Sequence, residues 1–186
     1  MEQMILNKAM MSQGNTYQGL RIRVLERRDI ENARLLHNDA SVLFQLTDIR
    51  FISELEQEAW FESISKSKTS RRYVIERAED NEFVGLFRLD HIDYQNRNAM
   101  VGLDITPGMR GKGFSKIVYQ WAFHYLFDQL GLHRLALETL ASNTIAIALY
   151  RGLGFQEEGR LRQAIWRNGQ YVDLLRFGLI QKDLIK

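Results

Sequence analysis

The run Pro107-Gly108-Met109-Arg110-Gly111-Lys112-Gly113-Phe114-Ser115-Lys116 restricts this chain more than any other stretch. Strand-like Ala99 to Ile105 precedes it, and Ile117 to Phe127, with a long apolar face, follows. A glycine-rich turn between a strand and a helix offers unpaired backbone N–H groups, at the positive end of the helix dipole, to an anion. The glycines let a ligand reach the backbone with no side chain in the way. A diphosphate fits such a turn.

Spacing separates the nucleotide-binding patterns that compete for it. A dinucleotide fingerprint, G-x-G-x-x-G, fails because the sixth position counted from Gly111 is Lys116. A P-loop counted from Gly108 fails because Phe114 stands where its lysine belongs. What remains is R-x-x-G-x-S, formed by Arg110, Gly113 and Ser115. It resembles the coenzyme A pyrophosphate loop of the GCN5-related N-acetyltransferase (GNAT) superfamily, Q/R-x-x-G-x-G/A, with Ser115 a mild departure at the last place. Without the resemblance, the same residues describe a glycine-capped turn before a core helix.

A second pattern lies about thirty residues downstream. Strand-like Leu135 to Thr139 leads into Asn143 to Phe155, with Asn143 placed as a helix N-cap and Gly154 where the helix stops. At about 100° per residue, Asn143 and Tyr150 fall nearly in line and face one ligand. The pattern N-x-x-A-x-x-x-Y-x-x-x-G-F resembles the second GNAT signature, and the two match in order and spacing. The resemblance runs from about Leu20 to the C-terminus, and the tail, Glu157 to Arg162, Arg167 to Asp173 and Phe177 to Leu179, looks closest to the RimJ/RimL-like branch.

Length and composition narrow the alternatives. At 186 residues the chain suits one domain, read as residues 20–186 behind a flexible extension, residues 1–19. A net charge of +2, with aromatics inside apolar runs instead of between basic residues, gives no case for nucleic acid. No apolar run nears the roughly 20 residues of a membrane span, and the N-terminus has no secretory h-region. With no cysteine either, a cytoplasmic protein without thiol chemistry is expected. His37, His91, His124 and His133 lack metal-ligand spacing, so no metal is expected.

Periodicity gives the order β-α-α-β-β-β-α-β-α-β-β. Leu20, Ile22 and Val24 alternate with Arg21 and Arg23 as a half-buried strand; a helix from Asp29 to His37 follows, then a loop over Asn38 to Ile52. Ser53 and Glu56 form a capping box for a second helix that turns Leu55, Ala59, Trp60 and Ile64 inward. Strands follow at Tyr73–Glu76, Phe83–Leu89, Met100–Ile105 and Leu135–Thr139, and the last pair flanks the turn Arg167-Asn168-Gly169-Gln170. One α+β unit results. The resemblance implies a GNAT-like, mostly antiparallel sheet with splayed central strands and flanking helices.

The resemblance implies an N-acetyltransferase that moves acetyl from acetyl-CoA to a primary amine in a ternary complex. Ile105, Arg110, Gly111, Lys112, Gly113, Phe114, Ser115, Lys116 and Asn143 would hold the coenzyme, and the splayed strands would pair with the pantetheine arm. Tyr150 would protonate the departing thiolate. A core aromatic is the plain alternative for it. Glu138 interrupts the apolar strand 135–137, where burial would suit it as the base; a solvent-facing charge is its alternative, and Asp104 is a second candidate base. Asn143 also serves as a helix cap.

The acceptor is expected between the 38–52 loop and the turn near 166–171. Only Asp39 and Asp48 supply carboxylates there, whereas Arg50, Arg167 and the cluster Lys66–Arg72 suit an anion. A small-molecule amine such as a nucleotide-linked amino sugar is therefore expected. A protein N-terminus or a polyamine is the alternative acceptor. A coenzyme-binding regulatory module without catalysis is the alternative of another class, and a homodimer is left open.

Overall fold

The computed structural model describes residues 16–184, so residues 1–15 of the expected extension lie outside it. Its last residues are not an extension. β1 (Thr16–Tyr17) folds back on β2 (Leu20–Val24), and Tyr17 is buried.

Between β2 and β3 (Arg71–Arg77) come α1 (Ile30–Asn38), a short α2 (Ala40–Leu43) and α3 (Glu54–Lys66). The expected loop over 38–52 thus contains a helical turn, started by Asp39, whose side chain accepts from the Ser41 N–H. The capping box of Ser53 and Glu56 opens α3 as its residue types require. Its inward face differs from the expected one: Gln57, Trp60 and Phe61 face the sheet, and Leu55 is 80% exposed. Gln57, Trp60, Phe61 and Ile64 are spaced i, i+3, i+4, i+7, and Leu55 and Ala59 fall on the opposite side. Val24 is likewise exposed, ending the alternation begun by Leu20 and Ile22.

The remaining elements are β4 (Phe83–Asp93), β5 (Asn98–Ile105), α4 (Phe114–Phe123, continuing as a π-turn through Gln129), β6 (Arg134–Leu140), α5 (Thr144–Gly152), β7 (Gln156–Arg167) and β8 (Gln170–Ile180). The β7–β8 turn is Asn168-Gly169, both at positive φ as a two-residue hairpin needs. One eight-stranded sheet runs β1-β2-β3-β4-β5-β6-β8-β7. Every neighbouring pair is antiparallel except β5–β6.

That exception positions the site. β5 and β6 pair only at Asn98–Arg134, Ala99–Leu135 and Met100–Ala136. Beyond these, β5 stays on β4 to Ile105 and β6 stays on β8 to Leu140, so the sheet splits. Alternation then assigns two faces. Ala99, Val101, Leu103 and Ile105 pack into the larger core beneath α4 and α5, around Phe87, Tyr119, Leu135 and Phe177. Gly102 and Asp104 turn to the other face, where α1 and α3 cover Val74 and Leu86 in a second cluster. Truncating a buried ring such as Phe87 to alanine costs about 3–5 kcal/mol, so this framework is stiff.

Candidate active site

The glycine turn is built as its composition demands. Pro107–Met109 makes one 3-10 turn, Gly111 and Gly113 adopt φ of 74° and 82°, and Phe114 opens α4. Among the described residues, no backbone N–H from Gly111 to Ser115 donates to another backbone group. Gly111, Lys112, Gly113 and Lys116 are exposed, and Phe114 and Ser115 are partly buried. The turn therefore presents a row of free donors at a helix N-terminus. Arg110 braces it from behind: Nε donates to the Ile105 carbonyl at 3.1 Å and Nη1 to Ser41 Oγ at 2.9 Å. Ile105 contributes a buried side chain and that carbonyl.

Asn143 caps α5, its Oδ1 accepting from the Ala146 N–H at 3.1 Å. Two turns on, Tyr150 is 9% exposed, its ring against Tyr119, Phe155 and Phe177 at centroid distances of 6.0–6.1 Å. Burial pushes its hydroxyl above the ordinary phenol range, against the opposing pull of Tyr119 and Arg88. A phenol so held stays protonated at neutral pH.

Two cavities open on the face opposite α4 and α5. The smaller, about 150 Å³, lies in the split itself, between Met100–Gly102 of β5 and Glu138–Leu140 of β6. The larger, about 460 Å³, lies under α1 and α3; Leu36, Val42, Trp60 and Leu86 form apolar walls, and Asp48, Glu56 and Asp104 supply carboxylates. Leu46, Thr47 and Arg88 line both. Arg88 Nε lies 3.2 Å from Asp104 Oδ2, and its guanidinium rests flat on Gly102. The structure thus brings Asp104, Glu138 and the split together.

Glu138 does not have the burial its apolar strand suggested. Its side chain is 24% exposed, and Arg176 Nε donates to Oε1 at 2.6 Å. It lies on the face away from the core, with β8 supplying the counter-charge.

Apart from exposed Lys68, the basic groups expected to attract an anion are committed elsewhere. Arg50 pairs with Asp48 at 2.7 Å and holds that carboxyl down at about 2. Arg72 pairs with Asp90 at 2.8 Å, Lys66 with Glu62, and Arg71 donates to the Ser67 and Ser70 carbonyls. Arg167 is buried and donates to the carbonyls of Leu46 and Trp166, tying the β7–β8 hairpin to the acceptor-side segment. Sequence reasoning also missed Glu56, Arg88, Gly102 and Tyr119. The sheet register, the packing of α3 and, for Tyr119, the packing of α4 place them, and periodicity gave no sign of these contacts.

Among the described residues no three His, Cys, Asp or Glu are grouped to hold a metal, and no helix is long and apolar enough to cross a membrane.

Comparison with known proteins agrees with this geometry. A family model described as the Acetyltransferase (GNAT) family matches residues 36–155. Spermidine N(1)-acetyltransferase of Vibrio cholerae is 33% identical over 162 residues, 87% of this chain and 93% of that protein. The enzyme of the same name from Escherichia coli K12 is 32% identical, covering 87% of this chain and 86% of its own length. The crystal structure of the Vibrio cholerae spermidine N-acetyltransferase with CoA and spermine superposes with a TM-score of 0.85 at 31% identity, over 90% of this chain and 99% of that one. Similarity to enzymes over this length sets aside the reading of a silent coenzyme-binding module. The chain belongs to the GNAT family and is an acetyl-CoA-dependent N-acetyltransferase.

Proposed function

We propose that the acceptor is a polyamine of the spermidine type, acetylated by direct transfer between two substrates bound together. The observation that carries this reading is the larger cavity, whose apolar walls carry three carboxylates beside Arg50, Arg72 and Arg88: Asp48 and Asp104 are paired with Arg50 and Arg88, and Glu56 is in no ion pair among the described residues. Methylene segments suit Leu36, Val42 and Trp60, and carboxylates suit ammonium groups. The relatives named for spermidine support the same class. The amino-sugar expectation rested on arginines free to meet phosphate, and those arginines are paired.

In this reading the turn Gly111–Ser115 takes the coenzyme pyrophosphate on its N–H groups, with Lys112 and Lys116 adding positive charge. The pantetheine arm enters the split, where β5 and β6 have lost each other as hydrogen-bonding partners. Asp104 receives the acceptor ammonium in the cavity, and Glu138 takes its proton. The freed nitrogen attacks the thioester carbonyl, the C–S bond breaks, and Tyr150 gives its proton to the leaving sulfur. The ammonium gives up two protons in all: one offsets the proton reaching sulfur, and the other is released to solvent.

The test is an initial-rate assay of CoA release with spermidine, spermine, an alanyl peptide and a nucleotide-linked amino sugar. A polyamine should have the highest kcat/KM. An amino sugar or peptide ahead of both polyamines would overturn the assignment.

A further inference from the structure

Tyr119 is fully buried in α4, six residues after Gly113, yet its hydroxyl makes no hydrogen bond within ordinary limits among the described residues, although Tyr150 lies near enough to act on it. Its ring meets Phe87, Phe123 and Phe155, none of which offers an acceptor. A phenylalanine would fill this space without burying an orphan hydroxyl, which lowers stability. The remaining ring contact is Tyr150, edge-on at 6.1 Å and 81°. The two phenols come from the two helices of the coenzyme motifs. Arg88 of β4 and Asp104 of β5 are the charged groups that act on both hydroxyls. Burial, followed by Tyr150, holds the Tyr119 hydroxyl well above the ordinary phenol range, and it too stays protonated.

We propose that Tyr119 is a positioning residue for Tyr150: its hydroxyl donates to the Tyr150 oxygen as that phenol gives its proton to the departing coenzyme thiolate. The inference rests on the reading of Tyr150 as the acid. When the C–S bond breaks, its electron pair goes to sulfur, the Tyr150 proton follows, and a buried phenolate is left. Such an anion needs a donor at once. Tyr119 is that donor, already in place and bonded to nothing else. Tyr150 recovers its proton from those released by the acceptor.

The test uses Tyr119→Phe, Tyr150→Phe and the double variant, with the best acceptor of the panel. Tyr119→Phe should keep or raise the melting temperature and leave both KM values within about twofold. Its kcat should fall roughly ten- to a hundredfold, the worth of one charge-assisted hydrogen bond. Added to Tyr150→Phe, it should lower kcat no further, since the oxygen it serves is gone. Wild-type kcat in Tyr119→Phe, with Tyr150→Phe impaired, would sink this inference and leave the acid assignment standing. Wild-type kcat in Tyr150→Phe would sink both. A Tyr119→Phe loss that persists in the Tyr150→Phe background, or appears as a raised coenzyme KM, would show displaced packing and also overturn it.

Discussion

Replacing Gly102 with alanine should leave stability nearly unchanged and make the enzyme less able to use its acceptor. A Cβ at Gly102 would stand 2.8 Å from Arg88 Nη2, 2.9 Å from Nε and 3.0 Å from Cζ. The guanidinium must therefore withdraw by about 0.6 Å to reach ordinary contact. It is the far end of a flexible side chain, so the fold tolerates the shift. The Arg88–Asp104 pair, now 3.2 Å between Nε and Oδ2, does not keep its geometry. The hydrogen bond of this ion pair runs from Nη2 to Oδ1 at 3.5 Å, and losing it is worth about 0.5–1.5 kcal/mol, or roughly two- to thirteenfold in kcat/KM for the acceptor. Glycine in a strand costs about 0.5–1 kcal/mol relative to alanine, which offsets that loss and predicts a melting temperature within a few degrees of wild type. Thermal melts and steady-state kinetics on the purified variant decide it. Unchanged acceptor kcat/KM would show that the position of Arg88 has no bearing on amine binding.

Three further outcomes are expected. Gly113→Ala meets nothing within 4 Å but forces a left-handed φ of 82°, costing about 1–2 kcal/mol. Its Cβ should crowd the diphosphate, so acetyl-CoA should raise its melting temperature far less than that of the wild type; an equal rise would refute the anion turn. Glu138→Gln should lower kcat most at neutral pH and recover partly at high pH, where more acceptor is already deprotonated; a pH profile superimposable on wild type would leave Glu138 as structure. Asp29 and Glu76 are buried, which raises their carboxyls, but the Arg23 guanidinium, joined at Glu76 by Arg21, outweighs burial and holds both below the usual range. Their stabilisation is therefore complete above about pH 5 and lost as pH falls through the lower folded values. Arg23→Met should cost about 3–5 kcal/mol at pH 7 and much less at pH 3 in urea titrations; equal losses at both would contradict the pairing.

Local chemistry was readable where a residue's role is set by its neighbours in sequence. Ser53 with Glu56, Asn143 at the start of α5, the glycines at 111 and 113, and the Asn168-Gly169 turn all act as their types require. Element order followed from periodicity for the same reason. The acceptor site was misread because it is assembled across the chain. Glu56 arrives on a helix whose inward face was assigned about a quarter turn away, with Trp60 and Ile64 common to both, and Asp104 and Arg88 meet only through the β4–β5 register. Charge counted along the sequence also ignores pairing. Arg50, Arg72 and Arg167 read as anion receptors until their partners, Asp48, Asp90 and the Leu46 carbonyl, came into view. The limited pairing of β5 with β6 leaves no local trace, since both strands read as ordinary apolar runs.

A crystal structure of the enzyme with CoA and spermidine tests the central claim most directly. The pyrophosphate should lie on the N–H groups of Gly111 to Ser115, the pantetheine between β5 and β6, and the sulfur within hydrogen-bond reach of the Tyr150 hydroxyl. The spermidine amine should enter from the cavity walled by Leu36 and Trp60, with an ammonium at Asp104. Sulfur placed away from Tyr150, or spermidine bound outside that cavity in a complex shown to turn over, would contradict it.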